Sequence, residues 1–236
     1  MLLSVRLELH ECGAVEFETG ARDVVRLFRS LGGEFLTVRN PPAGQRIEEV
    51  DSEAENGLGL FLTFSHRVLE REFNVFEHFR NFDPVANLSY WKHSHKVCLV
   101  QTAPHYRSGP HKEPKRFDGI AMGQLGLGRL AYSVLRPAFA MIDEESYIED
   151  SRVQRTEIKT IYWANFFGPG YVKKYGRKFL LKAPGWKTEE LEDGGVLYVA
   201  RESLSDWCLN KPREVLEYFK KQVPGVKLYK AVQKKY

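Results

Sequence analysis

Three cysteines in 236 residues, Cys12, Cys98 and Cys208, are too few and too scattered for a disulfide framework. With no C-x-x-C among them they argue against a thiolate zinc knot as well, and reduced, buried thiols are the expectation. Long hydrophobic runs are missing too. None approaches the roughly 18 to 20 residues that span a bilayer, and Arg6 interrupts the apolar opening before a signal-peptide core can form. No membrane contact is expected, and the expected compartment is the cytoplasm. A catalytic set is also lacking. The most strongly patterned part, residues 160–199, offers aromatics, glycines and lysines, but no base beside a nucleophile and no usefully spaced carboxylate pair. The expectation is a protein that is not an enzyme and takes no cofactor and no metal.

What is present supports a sizeable core: 43% hydrophobic and 13% aromatic residues fit a single α+β domain over 1–236. The net charge of +4 hides an opposition along the chain. Residues 1–90 hold 9 Lys and Arg against 15 Asp and Glu, a net of −6, whereas residues 91–236 hold 26 against 16, a net of +10. That asymmetry fits a basic surface for an anionic partner, and equally two unevenly solvated halves.

Periodicity outlines the elements. Leu3, Val5, Leu7 and Leu9 alternate with Ser4, Arg6 and Glu8, as in a half-buried antiparallel strand. Val24, Leu27, Phe28 and Leu31 mark one helical face stopped by Gly32-Gly33, and residues 34–38 return as a strand. The acidic stretch with Glu48, Glu49 and Asp51 reads as a solvated loop. Residues 57–64 and 96–101 read as strands, whereas Leu69, Phe73, Phe76 and Phe79 sit near a helical stripe. Residues 103–119 read as an exposed connection, followed by a helix over 120–147 that Arg136-Pro137 kinks or splits. Next come a strand broken at Gly168-Pro169-Gly170, a short helix stopped by Gly176, and a strand entered through Asp193-Gly194-Gly195. Pro212 opens a last helix carrying Val215, Leu216, Tyr218 and Phe219, before a basic tail with Lys227, Lys230, Lys234 and Lys235. The class is α+β, with a mixed, mainly antiparallel sheet and packed helices. Gly33-Glu34-Phe35-Leu36 and Gly176-Arg177-Lys178-Phe179-Leu180 both place Phe-Leu shortly after a helix-stopping glycine. They are weak signs of duplicated halves, 1–102 and 120–236.

Several stretches bear on chemistry. Gly123, Gly126 and Gly128 fit neither a dinucleotide fingerprint nor a P-loop. His93, His95, His105 and His111 fall within nineteen residues and could begin a metal site, but their ligand set is incomplete without distant carboxylates. Tyr90, Trp91, Tyr106, Arg107 and Lys112 mix aromatics with positive charge as nucleic-acid binding requires, though no RNA- or DNA-binding motif accompanies them. A small metal-binding enzyme and a nucleic-acid-binding module therefore stand as alternatives.

The string Ile161-Tyr162-Trp163-Ala164-Asn165-Phe166-Phe167-Gly168-Pro169, continued by Tyr171-Val172, Gly176, Pro184, Trp186 and Asp193-Gly194-Gly195, resembles bacterial polymorphic-toxin immunity proteins of the immunity protein 52 kind. The resemblance covers residues 155–200. It implies a cytoplasmic, non-enzymatic α+β protein that binds a cognate toxin, such as a nuclease effector of type VI secretion, and blocks its active site or substrate groove. It supplies no catalytic residues, and it implies a structural role for Trp163, Gly168, Trp186, Gly194 and Gly195. One departure is charge: an inhibitor mimicking nucleic acid would be acidic, and this chain is basic overall. Acidic patches remain as the expected toxin contact. Asp143, Glu144, Glu145, Glu149 and Asp150, five carboxylates within eight residues, are expected to lie exposed, and Glu48, Glu49 and Asp51 come next.

Overall fold

The computed structural model describes residues 4–12, 33–38, 73–79, 85–91, 96–102, 114–144, 156–210 and 212–228. Along the chain come β1 (Ser4–Cys12), β2 (Gly33–Val38), β3 (Phe73–Phe79), β4 (Val85–Trp91), β5 (Lys96–Thr102) and helix α1 (Pro114–Leu135). Then follow β6 (Pro137–Glu144), β7 (Thr160–Ile161), β8 (Ala164–Phe167), α2 (Pro169–Tyr175) and α3 (Arg177–Leu181). The chain continues through β9 (Lys187–Glu190), β10 (Val196–Val199), α4 (Leu204–Leu209), α5 (Arg213–Lys220) and β11 (Lys227–Leu228).

Nine strands form one sheet in the order β2-β3-β4-β5-β1-β6-β8-β10-β9. Every neighbouring pair in it runs antiparallel, and β7 pairs separately with β11 in parallel. The chain is thus α+β with a mainly antiparallel sheet. Because β1 lies between β5 and β6, the strands of both sequence halves share that one sheet.

Four expectations are corrected. Helix α1 starts at Pro114, inside the stretch read as a connection, because a first-turn proline lacks only an N–H that would find no helical partner there. It stops at Leu135 rather than running to 147. Arg136 takes a left-handed φ of 44°, and Pro137 opens a strand, a position where proline is tolerated. The apparent helical stripe around Phe73–Phe79 is strand β3, where Phe73 pairs with Tyr90 and Val75 with Leu88; Phe76 had obscured the period of two. Finally, β1 is buried on both faces: Val5, Leu7 and Leu9 on one, Glu8 and His10 on the other.

Helix α1 covers the face that carries Val5 and Leu7. The Gln124 amide donates to the Val5 carbonyl at 2.8 Å, and Gly128 lets the helix settle close to Leu7, Ile142 and Phe166. The opposite face of β6, β8 and β10 is aromatic. Phe139 and Phe167 meet Tyr171 of α2 at 5.3 and 5.8 Å between ring centroids, and Phe219 of α5 sits edge-on to Tyr198 at 5.4 Å. Each such pair adds about 0.5–1.5 kcal/mol beyond its buried area.

Helix α1 is also tied to the far edge of the sheet. Arg129 pairs with Glu189 on β9, and the Tyr132 hydroxyl donates to Asp193 at 3.0 Å. Burial and the Asp193 charge push the Tyr132 hydroxyl well above its ordinary pKa, so it stays a donor. A Cβ at Gly195 would lie 2.5 Å from that hydroxyl and 2.8 Å from the Phe167 carbonyl oxygen. Gly195→Ala should therefore destabilise by about 1–3 kcal/mol, the usual range for overpacking. Gly126→Ala, which meets no atom within 4 Å on the exposed side of α1, should stabilise by about 0.5–1 kcal/mol through helix propensity. Urea denaturation of the two variants checks both signs.

Candidate partner-binding surface

The expected acidic contact does not stand for the two of its members that the structure describes. Asp143 is 0% exposed and Glu144 is buried, because β6 lies inside the sheet between β1 and β8. One Asp143 oxygen accepts the Trp163 backbone N–H at 3.1 Å and the Trp207 indole N–H at 3.0 Å. The other accepts the Glu144 N–H at 2.9 Å. Held by those donors inside the protein, this carboxylate offers no field to a partner. Glu145, Glu149 and Asp150 lie outside the described residues, as do Glu48, Glu49 and Asp51 and the histidines His93, His95, His105 and His111. Tyr106, Arg107 and Lys112 also fall outside them, while Tyr90 and Trp91 close β4. Gly123, Gly126 and Gly128 lie within α1, so they form no phosphate loop.

The aromatic-glycine stretch is built from clamps. Trp163 is fully buried, its indole N–H donating to the Arg201 carbonyl at 2.9 Å. The Asn165 amide both accepts from the Tyr162 N–H and donates to the Tyr162 carbonyl, at 3.1 and 2.8 Å, which closes the bend into β8. A Cβ on Gly168 would lie 2.6 Å from the Ala138 carbonyl oxygen, and Gly194 turns with a φ of 83°. With Gly195 beneath Tyr132, these residues serve packing and turns.

Trp186 is 41% exposed, in contrast to the fully buried Trp163. The turn that carries it is nonetheless fixed. The Tyr198 hydroxyl donates to the Pro184 carbonyl at 2.7 Å, and the Trp186 N–H donates to the Val199 carbonyl at 3.0 Å. The Thr188 hydroxyl reaches the Leu181 carbonyl at 3.0 Å. Gly185 lies so close to β10 that a Cβ there would sit 2.8 Å from both the Tyr198 ring and the Val199 oxygen.

The stretch that carries this turn has charged residues of one sign only. Residues 169–188 contain Lys173, Lys174, Arg177, Lys178, Lys182 and Lys187 and no Asp or Glu, and all six cations are exposed. Lys174 pairs with Glu157 at 3.7 Å, Lys187 with Glu189 at 3.2 Å, and Arg177 with Glu190. Lys173, Lys178 and Lys182 have no ion-pair partner among the described residues. The lysines of this stretch are legible in the sequence, whereas their exposure beside a fixed turn is set by the fold.

Among the described residues no three His, Cys, Asp or Glu side chains gather as a metal would need, and no helix is long and apolar enough to cross a membrane. Burial pushes the Cys12 thiol up to about 12, which removes it as a nucleophile at neutral pH. No protein-family model matches the sequence, and no curated protein matches it either.

Two predictions follow from these contacts. Asp143→Ala strands the Trp163 and Trp207 N–H groups and should cost about 2–6 kcal/mol, at roughly 1–3 kcal/mol for each buried donor left without an acceptor. A shift of the urea midpoint at constant slope measures it, and a loss under about 1 kcal/mol would contradict the assigned network. For Glu189, burial works to raise the carboxyl pKa, but hydrogen bonds and charge from Lys187 and Arg129 prevail and hold it below the usual value. A lowered folded-state pKa means that its contribution is present above the unfolded-state value and lost as pH falls through the folded one. The protection factors of β9 amides, taken relative to intrinsic exchange at each pH, should fall as pH drops below the ordinary glutamate value of about 4.3, and a Glu189→Gln variant should lack that acid-induced step.

Proposed function

We propose that the chain is an immunity protein that binds and neutralises a cognate bacterial toxin, a secreted nuclease effector being the class that the resemblance over residues 155–200 implies. The observation that carries this reading is the exposed indole of Trp186 on a turn fixed from both sides. Tryptophan is the side chain most enriched among the few residues that dominate protein interfaces, and a turn already held in place loses little entropy on binding. Such an indole has no part in the fold's own core, and its chemistry suits docking rather than turnover. Asp143 and Glu144 are buried, so this reading does not rely on them as contacts.

The direct test is co-purification of the tagged full chain from its native host, with mass spectrometry of what it retains. Co-expression of any retained protein, with and without the chain, then follows in a growth assay. The expected result is a stoichiometric protein whose expression arrests growth and whose toxicity the chain relieves. Recovery of only metabolites or nucleic acid would overturn the assignment.

A further inference from the structure

We infer that the surface formed by α2, α3 and the turn at Trp186 docks an acidic face of a partner protein, with the indole as its anchor and Lys173, Lys178 and Lys182 as the cations that meet the partner's carboxylates. This rests on reading the chain as a partner-binding protein and adds what the partner must present.

Three observations converge. Charge comes first: residues 169–188 carry six exposed cations and no carboxylate of their own. Nearby acids, Glu157, Glu189 and Glu190, each already face one of those cations, which leaves Lys173, Lys178 and Lys182 without an ion pair among the described residues. Lys178 and Lys182 are one helical turn apart, the spacing that puts two side chains on one side of a helix. The second observation is the indole itself, 41% exposed although Tyr198, Val199 and Gly185 fix the backbone on either side of it. The third is how the other rings nearby are used. Phe179 and Tyr218 stack on each other at 4.9 Å, and Tyr175 stacks on Tyr171 at 6.4 Å.

Those ring contacts decide between two anionic partners. Binding a single-stranded nucleic acid needs successive stacking platforms along a basic track, and here Phe179, Tyr175 and Tyr218 are stacked on protein rings. An exposed indole on a fixed turn, within a stretch whose only charged residues are cations, instead suits an apolar pocket rimmed with carboxylates, where the cations steer the encounter and the desolvated ring holds the complex. A contact of this kind reads acidic protein surface, the opposite of mimicking a polyanion for a basic substrate groove.

The test uses the 236-residue chain, Trp186→Ala, and the triple variant Lys173→Glu, Lys178→Glu, Lys182→Glu. All four positions are solvent-exposed or half-exposed, so melting curves should match the parent. Fluorescence anisotropy measures binding to three labelled probes: a random copolymer of glutamate and tyrosine, polyglutamate, and an oligo-deoxythymidine. The copolymer should bind most tightly. Trp186→Ala should weaken it by about tenfold, and the triple variant should abolish it. Wild-type affinity for the copolymer in both variants overturns the proposal. So does tighter, Trp186-dependent binding of the oligonucleotide, which would assign the surface to nucleic acid. A toxin recovered by co-purification is then titrated with the same variants. Undiminished toxin affinity in both would sink this surface while leaving the immunity reading in place. A chain that protects against no toxin yet binds the copolymer through Trp186 would sink the immunity reading and leave the surface standing.

Discussion

The Asp143 carboxylate is the contact on which the C-terminal half of the structure depends. It sits at the end of β6, fully buried, and takes hydrogen bonds from a backbone N–H twenty residues away and an indole N–H sixty-four residues away. A buried carboxylate without donors would be prohibitively costly, and with them it fixes each donor in place. Those donors belong to the bend before β8 and to α4, so one side chain sets where both elements meet the sheet. Asp118 on α1 does parallel work at the start of α4, accepting from Ser205 N–H at 2.8 Å and from the hydroxyls of Ser203 and Ser205. Ser203 in turn caps α4 by accepting from the Asp206 N–H at 2.9 Å. Helix α4 is only six residues long and would not persist alone; two carboxylates and the buried Trp207 hold it.

The centre of the sheet repeats the pattern. On β1, Glu8 is buried beside Arg6 and hydrogen-bonded to His10 at 2.8 Å. Charges inside an antiparallel sheet usually add little net stability over apolar residues, but removing one partner leaves the other desolvated, so they narrow the set of alternative registers. A slip of β1 by one residue would carry Glu8 to the face that α1 covers and Leu7 to the polar one.

How much of this was legible in the sequence follows from where the deciding contacts lie. The alternation in β1, the glycine-stopped α2 and the proline-led α5 were readable because their signals are local: period two, Gly176 at a helix end, Pro212 before a stripe. The switch from α1 to β6 was not. Ala138 to Ile142 is apolar on every residue, which suits a buried helix as well as a strand paired on both edges, and only the pairing with β1 and β8 decides. The exposure assigned to Asp143 failed for the same reason: the donors that let a carboxylate stay buried come from distant parts of the chain. The partial exposure of Trp186 is likewise not a local signal. A tryptophan in an aromatic, glycine-rich stretch is normally core, and nothing local distinguishes it from Trp163. The difference is made by Gly185 and Tyr198, which draw the backbone of the turn against β10 and leave the side chain outside.

That exposed indole is connected to the core by a short chain of rigid contacts, and this bears on what it can do. Tyr198 and Val199, which hold the turn, are the last two residues of β10, paired with β8 on one side and β9 on the other. Strand β10 is positioned on one side by β8, whose start is bent into place at Asn165 and, through Trp163, by Asp143. On the other side it carries β9, which α1 secures through Arg129 and Glu189. A side chain on an ordinary loop would lose freedom on meeting a partner, whereas this one is carried by backbone that the fold has already ordered. The entropy of presenting Trp186 is thus met during folding, and its contact area remains available to stabilise a complex. The polar clamps in the interior and the apolar residue at the surface invert the usual distribution, and each inversion supports the other: buried carboxylates provide the rigidity that makes an exposed tryptophan effective.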